Sequence, residues 1–111
     1  MNAPEVVRRY ANTLLEAADE TGATADVQRD VEGLVVTLRQ SGELAEFLAN
    51  PLIGAQVQAE ALKQLFSGKV EALTSNFLQL MGVRGRAAII AAALEGFLEL
   101  VAEREGVVSA E

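Results

Sequence analysis

Apolar residues recur at three- and four-residue intervals through six stretches of this chain, and Gly, Pro or Ser separates each stretch from the next. That spacing places side chains on one face of a 3.6-residue helix and is incompatible with the alternation of a half-buried strand. The first stretch predicts a helix from about Pro4 to Glu20. Asn2 is placed to cap it, Pro4 suits its first turn, and Thr21-Gly22 ends it. Val6, Val7, Tyr10, Ala11, Leu14, Leu15, Ala17 and Ala18 cover about half its circumference at 100° per residue. The second helix is expected from about Thr24 to Gln40, with Val27, Val31, Leu34, Val35 and Leu38 inward. Ser41 caps a short third helix carrying Leu44, Phe47 and Leu48, which Asn50-Pro51 stops.

A fourth helix is expected from about Ala55 to Phe66, with Val57, Ala61, Leu62, Leu65 and Phe66 inward and Gly68 closing it. The fifth, from about Val70 to Met81, carries Val70, Leu73, Phe77, Leu78, Leu80 and Met81 over well over half its surface. Gly82 and Gly85 then bracket a tight turn into a sixth helix, from about Arg86 to Arg104. Its segment from Ala87 to Ala93 is apolar on nearly every side, as expected of a helix surrounded by others, and Glu95, Glu99 and Glu103 form its single wet stripe. The tail from Gly106 to Glu111 reads as the start of an extended segment. Short connections favour antiparallel neighbours, so the fold class expected is all-α, a compact six-helix bundle. Residues 1–105 form one helical domain, and 106–111 read as the start of a linker to a C-terminal domain absent from the chain.

Composition narrows the function. The 111 residues include neither His nor Cys, which removes the usual zinc ligands, thiol nucleophiles, imidazole bases and disulfides. No cofactor is expected. A formal net charge of -7 argues against nucleic acid and against direct binding to an anionic lipid surface. The longest apolar stretch, Ala87 to Leu98, is interrupted by Glu95 and Gly96 and is too short to span a bilayer, so no direct membrane insertion is expected.

Local motifs for chemistry fail on inspection. Gly68-Lys69 lacks the phosphate-loop partners, since Lys63 stands where a glycine is needed and Val70 where a Ser or Thr is needed. Asp26 and Asp30, like the three glutamates of the sixth helix, read as solvated faces. Arg84-Gly85-Arg86 reads as a turn between packed helices, with Arg86 reaching a carboxylate or carbonyl. The high mean hydropathy of +0.23 points instead to apolar area left for a partner. Tyr10, which favours a site with one wet end, sits on the broad apolar arc of the first helix. A groove between the first and fifth helices would accept an amphipathic helix, the alternative on helix geometry alone being that both apolar arcs are simply buried.

Several segments carry a family resemblance in order along the chain. Val7-Arg8-Arg9-Tyr10-Ala11-Asn12-Thr13-Leu14 resembles the opening of the delta subunit of F-type ATP synthase, called OSCP in mitochondria. Phe47-Leu48-Ala49-Asn50-Pro51 resembles its first Pro stop, and Thr74 to Met81 with Gly85-Arg86 resembles a later signature. Glu105 to Ala110 resembles its interdomain linker. Arg84 departs from the pattern, standing where family members often have Asn or another small polar residue.

The resemblance implies a non-catalytic domain of the peripheral stalk, or stator. It would grip the N-terminal helix of an F1 alpha subunit and so hold the alpha3beta3 head against rotor torque during proton-driven ATP synthesis. Val7, Tyr10, Ala11 and Leu14 would line one wall of the groove, and Phe77, Leu78, Leu80 and Met81 the other. The b-subunit stalk would be bound through the missing C-terminal domain. The implied location is the cytoplasmic face of the bacterial inner membrane, peripheral, within F1Fo. The alternative is a helical regulatory or adaptor domain binding RNA or a transcription factor, which the negative charge disfavours where RNA is concerned.

Overall fold

The computed structural model describes residues 4–106. Its helices are α1 (Pro4–Glu20), α2 (Thr24–Gln40), α3 (Gly42–Ala49), α4 (Ala55–Phe66), α5 (Ala72–Val83) and α6 (Ile90–Glu105), with a 3₁₀ turn (Ala87–Ile89) leading into α6. The expected all-α, six-helix bundle is therefore the fold. A Cα radius of gyration of 13.5 Å is close to the roughly 13 Å expected of a folded domain this long. Asn2 and the tail after Gly106, both assigned roles above, lie outside the described residues.

Local chemistry sets most boundaries as expected. At the end of α1, Gly22 adopts φ +70°, and the N–H groups of Gly22 and Ala23 reach the carbonyls of Asp19 and Ala18. These bonds satisfy the last carbonyls of the helix in a Schellman motif. Ser41 caps α3, its Oγ accepting from the Leu44 N–H at 3.2 Å. The inward stripe of α2 is the one the spacing predicts, with Val27, Val31, Leu34, Val35 and Leu38 all buried.

Three elements differ from expectation. The fourth helix turns another face inward: Gln58, Ala59 and Leu62 are buried, whereas Val57 and Leu65 are exposed at 58% and 42%. Gln58 goes in because its Nε2 donates to the carbonyls of Phe47, Leu48 and Asn50 at 3.0, 3.3 and 3.5 Å. Those carbonyls lie at the C-terminal end of α3, where a helix runs out of intrahelical donors. Ala59 goes in because α5 lies directly on it. A Cβ placed on Gly82 would stand 2.9 Å from the Ala59 Cα, so Gly82 is a point of close helix approach and not a turn residue.

The fifth helix is displaced two residues from the expected span. Val70 precedes it because Asp30 of α2 sets its start. Asp30 Oδ2 accepts from the Glu71 N–H at 2.8 Å and from the Thr74 hydroxyl at 2.9 Å. A carboxylate borrowed from another helix thus supplies half of a capping box and suits the positive end of the α5 dipole. Asp30 is accordingly half-buried and structural, not part of a solvated face. At the other end Gly85 takes φ +72°, so that Gly85 and Arg86 bond back to Gly82 and Met81.

The sixth helix begins later than expected, after the 3₁₀ turn. Ala87, Ile89, Ile90 and Ala93 are buried, but Ala88 and Ala91 are exposed, so its first half is only partly surrounded. Its glutamate stripe is not wholly free either, because Glu95 pairs with Arg39 of α2 at 3.2 Å. At the far end Arg104 binds Asp19 of α1 at 2.6 Å, which holds the Asp19 carboxyl below its ordinary range.

Candidate functional site

Helix α1 packs chiefly against α6 and touches α2 and α5 far less extensively. Its α6 flank is marked by Ala11, whose Cβ is 3.2 Å from the position a Cβ on Gly96 would take. Val7 lies on the same side and helps line a cleft of about 380 Å³ between α1 and α6. At 100° per residue, Val6, Tyr10, Thr13 and Ala17 fall on the opposite flank, towards α5. Tyr10 is buried at 7% exposure, while Val6 and Ala17 are half-buried and Thr13 is exposed.

On α5, Leu73, Phe77, Leu80 and Arg84 form the matching edge at i, i+4, i+7 and i+11. Thr74 faces Asp30 of α2 and Gly82 faces α4, which leaves this edge for α1. Phe77 is buried, Leu73 and Leu80 are half-buried, and Val83 is 49% exposed. The seam therefore has a floor of Tyr10 and Phe77 and a rim of Val6, Leu73 and Leu80. It is an apolar strip, not a deep pocket.

The eight residues predicted for the groove divide accordingly. Tyr10 and Phe77 are at its floor and Leu80 is on its rim. Ala11, Leu14, Leu78 and Met81 are core, each 2% exposed or less. Their surface is spent on neighbouring helices, so in this conformation they are not walls. Val7 belongs to the α6 side. The rim residues Val6 and Leu73 were part of the predicted apolar arcs but were not singled out.

Arg84 and Arg86, just beyond α5, are the charged groups that act on the Tyr10 phenol. Hydrogen bonding to Arg84 lowers the phenol pKa from the ordinary 10.0, and Arg86 adds to the shift; burial opposes it without winning. Neither arginine belongs to the three ion pairs found among the described residues. Because the favoured phenolate exists only at high pH, this contact adds stability above the unfolded phenol pKa. That stability is lost as pH falls through the lowered folded value.

Tyr10 is the only Tyr and the chain has no Trp, so tyrosinate absorbance reads this site alone. A midpoint below 10.0 is expected, and Arg84→Ala should raise it because burial then acts with less opposition. An unchanged midpoint in Arg84→Ala would show that the guanidinium does not act on the phenol.

Other concavities exist. One of about 700 Å³ lies between α3 and α4 and is lined by Leu44, Phe47, Ala61, Leu65 and Phe66 among others. Among the described residues no three His, Cys, Asp or Glu side chains are grouped to hold a metal ion, and no helix is long and apolar enough to cross a membrane.

Comparison with known proteins places these features in a family context. The family described as ATP synthase delta (OSCP) subunit matches residues 6–111. The ATP synthase subunit delta of Chlorobium luteolum is 38% identical over 94% of the chain and 58% of its own length. That of Chlorobaculum tepidum is 34% identical over the whole chain and 61% of its own length. The corresponding protein of Thermosynechococcus vestitus is 36% identical over 96% of the chain and 58% of its own length. The chain thus spans 58–61% of the length of these curated relatives.

Proposed function

The chain belongs to the ATP synthase delta (OSCP) subunit family, and from that premise we propose that it is a stator adaptor which grips the F1 head and performs no chemistry itself. The partner element is the N-terminal helix of an F1 alpha subunit, laid along the seam between α1 and α5. Its apolar side chains cover Val6, Leu73 and Leu80 above the Tyr10–Phe77 floor. This is helix-in-groove recognition, in which one apolar stripe of the ligand meets one apolar strip of the host.

The observation that carries the reading is the seam itself. Val6, Leu73 and Leu80 are each only partly buried, and the Tyr10 and Phe77 rings belong to the core. A docked helix would remove that surface from water without rearranging the bundle. Rotor torque on the alpha3beta3 head is then resisted through a rigid helical body, peripheral to the membrane on its cytoplasmic face in a bacterial cell. Contact with the b subunits of the stalk falls to a second domain of the kind the family resemblance implies.

Retention of the chain on purified F1 tests this. F1 with intact alpha subunits should hold the chain through gel filtration, and F1 whose alpha subunits lack the N-terminal helix should release it. Retention by the truncated F1 would mean that the head is gripped elsewhere.

A further inference from the structure

Helices α4 and α5 form a hairpin that meets the rest of the chain at one end only. The close approach of Gly82 to Ala59 sets the last turn of α5 beside the first turns of α4. The two therefore run antiparallel, and residues 67–71, which join them, are the tip of the hairpin. Both connections to the other helices, residues 50–54 and 84–86, lie at the opposite end, its base. Gln58 fastens the base, its Nε2 donating to the Phe47, Leu48 and Asn50 carbonyls at the end of α3. Gly54 and Gly85 stand in the two connections, and nothing lies within 4 Å of a Cβ at either. Packing therefore does not hold the backbone there at one angle.

A single carboxylate holds the tip. Asp30 of α2 accepts from the Glu71 N–H at 2.8 Å and from the Thr74 hydroxyl at 2.9 Å. Thr74 is fully buried, so its hydroxyl has no water to turn to once that oxygen is gone. The ion pairs between helices tie α1, α2 and α6 to one another instead, Arg104 to Asp19 at 2.6 Å and Arg39 to Glu95 at 3.2 Å. Helices α1 and α6 are also closely packed, since a Cβ on Gly96 would stand 3.2 Å from that of Ala11.

We propose that the α4–α5 hairpin is a strap that opens as one unit, hinged at its base, and that Asp30 is the clasp that sets how often it opens. Helix α5 makes a lever of roughly 18 Å at 1.5 Å per residue. Release at the tip moves Leu73 and Phe77 away from α1 before it moves Leu80. The α1–α5 seam is then the joint along which the bundle parts, while α1, α2 and α6 keep their own contacts. Burial of Phe77, Leu78 and Met81 keeps the strap closed most of the time, so its opening is a rare sub-global event of the kind that native-state hydrogen exchange reads. The strap does not depend on which partner lies on the seam.

Hydrogen exchange followed by mass spectrometry on the whole chain tests this, with Asp30→Ala, Asp30→Asn and Thr74→Val beside it and circular dichroism to check that each is folded. Asp30→Ala removes the acceptor, Asp30→Asn keeps an oxygen in its place, and Thr74→Val removes the buried donor while keeping its shape. Amides of α4 and α5 should exchange faster together in Asp30→Ala, by roughly ten- to a hundredfold, the range for losing hydrogen bonds to a charged group. Those of α1, α2 and α6 should keep their rates. Thr74→Val should show the same pattern at smaller size, and Asp30→Asn should recover most of the protection. Faster exchange confined to the first turn of α5 would overturn the strap, because Asp30 would then cap one helix and hold nothing else. An equal rise in all six helices would overturn it too, since the bundle would open as one body. No rise in either Asp30→Ala or Thr74→Val would show that the tip needs no clasp.

Discussion

Gly82→Val is expected to destabilise the chain by about 3 kcal/mol, the upper end for inserting side-chain volume into a packed interior. A Cβ at position 82 would stand 2.9 Å from the Ala59 Cα and 3.0 Å from its nitrogen, so it meets backbone and not a side chain that can swing away. Two further methyl groups must find room in the same crevice. Valine gains a few tenths of a kcal/mol over glycine in helix propensity, far too little to offset the clash. Helices α4 and α5 make the most extensive interhelical contact of the bundle, and separating them also strains the Gln58 bonds to the end of α3. A fall in melting temperature of roughly 10–20 °C is expected for a domain of this size. Gly33→Val is the control, since nothing lies within 4 Å of a Cβ there. Equal losses in the two variants would mean that helix propensity, not the α4–α5 approach, governs position 82.

The second large effect falls on binding. Leu80→Ala should weaken docking of the alpha N-terminal helix by about 2 kcal/mol, the scale of a buried interface anchor, or roughly thirtyfold in Kd. Leu80 is half-buried in the free chain, so part of its surface is already covered and truncation costs the fold less than at a core position. A helix laid on the seam would cover the remainder and seal the edge of the Tyr10–Phe77 floor from water. The position therefore separates binding from folding, which Leu14 or Met81 cannot do. Both are buried at 1% exposure or less, and shortening either would open a cavity under α1 or α5.

The bundle was legible because its punctuation is local. Thr21-Gly22, Ser41 and Asn50-Pro51 act on their own backbone, and the boundaries they predict hold in the structure. What stayed hidden depends on partners distant in the chain. Hydropathy ranks Val57 above Gln58, yet Gln58 turns inward because its amide donates to three carbonyls at the end of α3, eight to eleven residues away. Gly82 reads as a helix breaker until Ala59 is brought against it. Asp30 reads as solvated until the Glu71 N–H and Thr74 arrive from 41 and 44 residues further on.

The seam was half legible for a similar reason. The apolar arcs of the first and fifth helices are evident from spacing, but an aliphatic side chain at a rim and one in the core have the same residue type. Only the placement of α6 against Ala11 and of α4 against Gly82 assigns Leu14 and Met81 to the core and Val6, Leu73 and Leu80 to the rim. Arg84 was visible as a departure from the family pattern. Its place beside Tyr10 emerges only when α1 and α5 are side by side.

The central claim is that the α1–α5 seam, and not the larger depression between α3 and α4, receives the alpha-subunit helix. Calorimetry of the alpha N-terminal peptide against Leu80→Ala and Leu65→Ala tests it most directly, because each substitution truncates one partly exposed leucine on one of the two faces. Roughly thirtyfold weaker binding in Leu80→Ala, with Leu65→Ala unchanged, is the predicted result. Unchanged affinity in Leu80→Ala together with a comparable loss in Leu65→Ala would contradict it and move the docking site to the α3–α4 groove.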